Sequence, residues 1–169
     1  MRYKIIIGLG NPLKEYFGTY HNVGFMALDS LTTGKKFKKH GSFEYVKSGG
    51  TVFVKPLTFM NESGIAVAEA LRFFKSKPKD MLLIHDESDI RLGEHKLSCD
   101  SGSAGHNGVK SIISSLGTQE FCRLRIGIRP SESVKKAGDM VLKKISKAEL
   151  GVVQEGIKKA LEKTLEIKN

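Results

Sequence analysis

No apolar run in this 169-residue chain approaches the roughly 18 residues that a membrane-spanning helix requires, and no signal-like apolar segment opens it. The sequence is accordingly read as having no membrane role and a cytoplasmic location. Cysteine is scarce. Cys99 and Cys122 are too far apart for a C-x-x-C redox pair or a zinc knuckle, and both are read as free thiols in a reducing compartment. No stretch rich in Pro, Gly or Ser divides the chain, and no repeat period is visible. The length is enough to bury a core without disulfides or metal, so residues 1–169 are read as one domain.

Incomplete motifs exclude several activities. Gly8-Leu9-Gly10 lacks the third glycine of the dinucleotide fingerprint, and "GSAGHNGVKS" has Val109 where a phosphate-binding loop needs lysine. His85-Asp86-Glu87 matches the H-x-E of zinc deaminases, but the P-C-x-x-C that supplies their other ligands is missing. No G-x-S-x-G elbow offers a serine nucleophile. His85, His95 and His106 show no ligand spacing with a cysteine or carboxylate, so no metal is expected.

Positive charge is plentiful. Lys and Arg outnumber Asp and Glu by 28 to 18, a net charge of +10 that suits a polyanionic partner such as nucleic acid. Short apolar runs at residues 3–7, 51–54, 81–84 and 124–128 read as strands, while helical spacing covers residues 23–31, 64–74, 109–116 and 150–165. This alternation predicts an α/β fold, a mixed twisted sheet with central parallel strands sandwiched between helices. Ile5-Ile6-Ile7 and Met81-Leu82-Leu83-Ile84 lack polar alternation, as strands buried on both faces do.

A polar cluster follows each of the first three strands: Gly10-Asn11-Pro12, then "KPLTFMN", then "HDESD". Ligands of open α/β sheets bind at that carboxyl edge. If the strands are neighbours, Asn11, Asn61 and Asp86 meet in one crevice, with His21 delivered by the turn after the first loop. Each residue also has a structural reading: Asn61 as a helix N-cap, Asn11 as a turn before Pro12, Asp86 as a strand-end turn, and His21-Asn22 as the start of a helix. Together they suit water activation, in which a neutral imidazole takes the proton, a carboxylate orients it, and amides position a carbonyl or ribose.

Five motifs in order, "GLGNPLKEYFGTYHNVGF", "KPLTFMNESGIAV", "HDESDIRLGE", "GHNGVKSI" and "FCRLRIGIRP", resemble the bacterial-type peptidyl-tRNA hydrolase family over nearly the whole chain. The resemblance implies an esterase, without a cofactor, that cuts a peptide or N-blocked amino acid from the 3′ ribose of tRNA and frees the tRNA for translation. It implies a monomer with no obligatory protein partner. His21 would be the general base, Asp86 its orienting partner and Asn11 the sensor of the blocked amine. Tyr16, Phe59, Asn61 and Asn107 would contact the tRNA end or its peptide, Met60 would line the pocket, and Arg125 would meet a backbone phosphate. This chain has Ala104-Gly105 where the family has two glycines, Ser98 where a basic residue often stands, and an "RLRIGIRP" segment one residue shorter than usual. A non-catalytic RNA-binding protein on the same scaffold is the alternative; retention of His21 and Asp86 favours the enzyme.

Overall fold

The computed structural model describes residues 3–130 and 140–166. Seven strands form one mixed sheet in the order β2-β3-β4-β1-β5-β7-β6. The four strands read from the sequence are its centre: β1 (Ile5–Gly8), β4 (Thr51–Pro56), β5 (Met81–Arg91) and β7 (Cys122–Arg129), with β1 parallel to both β4 and β5, and β5 parallel to β7. β2 (Lys38–His40), β3 (Phe43–Ser48) and β6 (His95–Cys99) are added antiparallel to the margins. β2 and β6 carry charged or half-exposed residues, as edge strands do.

Pleating sends alternate residues of each central strand to opposite faces. Ile6, Leu82, Ile84, Leu124 and Ile126 pack with α1 (Val23–Leu31) and α4 (Lys147–Leu165). Ile5, Ile7, Met81 and Leu83 pack with α2 (Ser63–Phe73) and α3 (Asn107–Leu116) on the other face. β1 and the first half of β5 are buried at every position, which is why they read as unbroken apolar runs.

One close approach places the site. A Cβ on Gly24 would lie 2.4 Å from both the Ile84 carbonyl oxygen and the Leu9 nitrogen, so the first turn of α1 rests directly on the end of β1 and on β5 at Ile84. The short 3-10 turn Tyr20–Asn22, immediately before α1, is thereby held at the carboxyl edge of the sheet.

Cys99 and Cys122 are a correction to the sequence reading. They stand opposite each other in the β6–β7 register and are joined by a disulfide, with Cα atoms 4.0 Å apart. Nothing in their 23-residue separation announces the pairing, because the strand pairing brings them together. Among the described residues no helix is long and apolar enough to cross a membrane.

Candidate functional site

β5 does not stop at Ile84. It runs on to Arg91 with its polar residues inside the strand, and Asp86 is 2% exposed within it. Asp86 Oδ1 lies 2.8 Å from His21 Nδ1 and 2.9 Å from His106 Nε2. His106 is the N-cap of α3, and its Nδ1 accepts from the backbone N–H groups of Gly108 and Val109. A ring nitrogen that accepts carries no proton, so Nε2 holds the hydrogen and donates it to Asp86. His21 likewise donates from Nδ1, which leaves its Nε2 lone pair free. Burial works against ionisation of Asp86, but His106 and then His21 outweigh it and hold its carboxyl well below the usual carboxylate range.

Neighbouring groups fix this set. The His21 backbone N–H donates to the Val141 carbonyl at 2.8 Å, and that of Tyr20 donates to Lys143 at 3.2 Å, so residues 140–145 run alongside the turn. The Tyr20 hydroxyl donates to Glu149 Oε2 at 2.8 Å, and burial with this carboxylate raises the phenol to about 12. His85 is fully buried and donates from Nδ1 to the Asp86 carbonyl; burial, reinforced by His106 and Arg123, keeps it neutral. A cavity of about 160 Å³ opens beside these groups, lined by His21, Asp86, Glu87, His106, Asn107 and Val141 among others.

Asn11 stands in the loop just beyond β1, 5% exposed, with its Oδ1 accepting from the Met60 backbone N–H at 2.9 Å. Asn22 holds its backbone on both sides, accepting from the Asn11 N–H and donating Nδ2 to the Asn11 carbonyl, each at 2.9 Å. The amide of Asn11 thus presents two N–H donors and one oxygen lone pair. Met60 is buried beneath it, while Phe59 and Asn61 are exposed and Tyr16 is half-buried on the loop after β1. Asn61 does not cap α2: Glu62 occupies that position, and no side chain makes the cap bond. Arg125 is engaged, with Nε 2.9 Å and Nη2 2.8 Å from Glu87 Oε2, so only its Nη1 edge, near Ser98, is left for another partner. Ala104 adopts φ +51° and Gly105 φ +83°, placing an alanine in the left-handed region that favours glycine.

Two members of this arrangement, His106 and Asn22, escaped the sequence reading. Asn22 acts on the backbone of Asn11 and His106 on the carboxylate of Asp86, partners distant in sequence. The one local hint was His106 directly before a helical pattern, and histidine is not a favoured cap.

The donor atoms of His21, Asp86 and His106 lie within 4.8 Å of one another, close enough to consider a cation. Ligation by His106 Nε2 would move its proton to Nδ1 and break the cap of α3. It would also take from His21 the acceptor that fixes its tautomer. The set is built as a hydrogen-bonded group, in which Asp86 serves two N–H donors. Because the Asp86 pKa is depressed by folding, its contribution is complete above the unfolded value near 3.9 and is lost as pH falls below it. Denaturant midpoints measured from pH 7 to pH 3 should show wild type losing roughly 1 kcal/mol of stability that Asp86→Asn does not lose. Parallel acid limbs would contradict this assignment.

A family model described as peptidyl-tRNA hydrolase matches residues 5–168. The peptidyl-tRNA hydrolase of Mycoplasma capricolum is 44% identical over 159 residues, covering 90% of this chain and 86% of that protein. The Aquifex aeolicus enzyme of the same name is 42% identical over 170 residues, covering 95% and 88%. The crystal structure of peptidyl-tRNA hydrolase from Acinetobacter baumannii superposes with a TM-score of 0.84 at 32% identity, covering 96% of this chain and 86% of that one. With its fold and nearly its whole length matched, the chain belongs to the peptidyl-tRNA hydrolase family.

Proposed function

We propose that this chain, acting as one monomeric domain, hydrolyses the ester between a peptide or N-blocked amino acid and the 3′ ribose of tRNA. The observation that carries the reading is the 2.8 Å contact of His21 Nδ1 with a buried Asp86, which in the neutral ring places the proton on Nδ1 and makes Nε2 the acceptor, with His21 lining the cavity. His21 Nε2 takes a proton from water as the water oxygen attacks the ester carbonyl carbon. Asp86 stabilises the imidazolium that results. The tetrahedral intermediate then expels the ribose oxygen, and the proton returns from Nε2 to that oxygen, giving a carboxylic acid and a free tRNA hydroxyl.

Affinity for the RNA comes from charge and from stacking. The +10 net charge suits a phosphate backbone, with the Nη1 edge of Arg125 as one contact. Exposed Phe59 and half-buried Tyr16 offer faces to unpaired bases, and Asn61 and Asn107 offer amides to the sugar or peptide. The N–H donors of Asn11 suit the acyl carbonyl of a blocked amine. A free ammonium brings only donors to that position and loses hydration on entry.

His21→Ala should lower kcat about 10²-fold or more in a protein that still folds; a folded variant with near-normal turnover would remove His21 from the mechanism. Metal has no part in these steps, so dialysis against a chelator should leave the rate unaltered, and activity restored by zinc alone would contradict the scheme. Asn11→Asp keeps an acceptor for the Met60 N–H but welcomes an ammonium. The ratio of kcat/KM for N-acetylaminoacyl-tRNA over aminoacyl-tRNA should therefore fall, by about tenfold for a misplaced charge–dipole contact. An unchanged ratio would leave Asn11 with a structural role only.

A further inference from the structure

The start of α1 separates two cavities. On one side His21 faces the cavity described above. On the other, the next residue, Asn22, lines a second and larger one of about 340 Å³, formed with Pro12, Phe17, Phe25, Asp29, Glu44 and Lys55. Its volume is that of a small-molecule site. Phe17 stands 55% exposed at this cavity, an uncommon position for a large apolar ring. Lys55 is 8% exposed, yet its ammonium is already satisfied: it is ion-paired with Asp29 and lies 5.3 Å from the Phe25 ring centre and 4.6 Å from that of Phe37. Glu44 stands opposite Lys55 in the β3–β4 register and, among the described residues, forms no ion pair.

These features define a ligand. Two carboxylates against one committed lysine disfavour a phosphate. An exposed ring with a nearby unpaired carboxylate suits a flat, neutral group that stacks and donates from an amine. Cytosine and adenine have that chemistry, cytosine through N4–H₂ donated to a carboxylate. Peptide side chains vary from one substrate to the next, whereas the single-stranded CCA end is common to all tRNAs, and a preformed pocket with fixed acceptors fits the invariant part. We propose that this cavity binds a cytosine of the substrate's 3′ end, stacked on Phe17 with its amine donated to Glu44, while the terminal ribose ester sits beside His21. Because Asn22 and His21 are consecutive, a strand passing over the start of α1 reaches both cavities within a few nucleotides. The inference rests on the proposed RNA substrate.

The test uses the full chain and two readouts. Binding of a short labelled RNA ending in CCA, followed by fluorescence anisotropy, does not depend on hydrolysis; N-acetylaminoacyl derivatives of the same RNAs report kcat and KM. Replacing the cytosines by uracil should weaken binding and raise KM about fivefold in wild type, with kcat unchanged. Glu44→Gln should abolish that penalty, and Phe17→Ala should weaken binding of both RNAs by about tenfold. A uracil penalty of the same size in wild type and Glu44→Gln would overturn the inference, as would Phe17→Ala and Glu44→Gln responding instead to the amino acid attached. Cytosine-dependent binding without hydrolysis by wild type would uphold this site and refute the proposed esterase. Hydrolysis with no cytosine dependence would do the reverse.

Discussion

A carboxylate withdrawn from water is unstable unless its lone pairs are occupied, and the site is organised around that requirement at Asp86. One oxygen accepts from two imidazoles, and each imidazole is tied to a different part of the fold. His106 belongs to the start of α3, and His21 to the turn before α1. The cap on α3 reaches further than the helix, since the backbone N–H groups of Gly108 and Val109 decide which nitrogen of His106 carries its proton. That choice leaves Asp86 an acceptor to His21 as well, and so leaves His21 with its outer nitrogen free. The cap of α3, the tautomer of His106 and the orientation of His21 are linked by one chain of hydrogen bonds.

How much of this was legible depends on whether a residue's role is local. β1 and the first half of β5 were visible because strands buried on both faces have no polar positions to interrupt them, and β4 and β7 because short apolar runs dominate them. β2 lies in the basic run "KKFKKH" and was not among the strands read, although it pairs with β3. β6 carries mostly exposed residues and gave no apolar alternation. The second half of β5 was read as a cluster after the strand, because a carboxylate inside a central strand is legible only once its partners are known. His21, Asp86 and Asn11 could be placed by their position after strands. Asn22, His106 and the Cys99–Cys122 bridge depend on partners 11, 20 and 23 residues away, and no local pattern encodes them.

The segment between β6 and α3 illustrates a second constraint. Arg123 is 1% exposed, and its guanidinium donates to the Ser101 hydroxyl and to the Gly102 carbonyl at 2.7 Å. A buried cation under a Gly/Ser-dense loop fixes the loop from below, so its sequence alone overstates its freedom. The loop then turns through Ala104 and Gly105 at positive φ and delivers His106 to Asp86. Its composition is permissive, and its anchoring comes from β7.

The bond between the His21 backbone and Val141 crosses most of the chain's length. So does that between the Tyr20 hydroxyl and Glu149. A ribosome makes the loop that bears Asn11 and the turn that bears His21 well before Val141 and Glu149, the residues that bond to that turn. While it is being synthesised, this protein is itself a peptide esterified to a tRNA, the kind of bond its family cleaves. The turn that carries His21 can meet Asp86 well before residues 141–149 exist, so its outer bonds close only after roughly 120 further residues have been added.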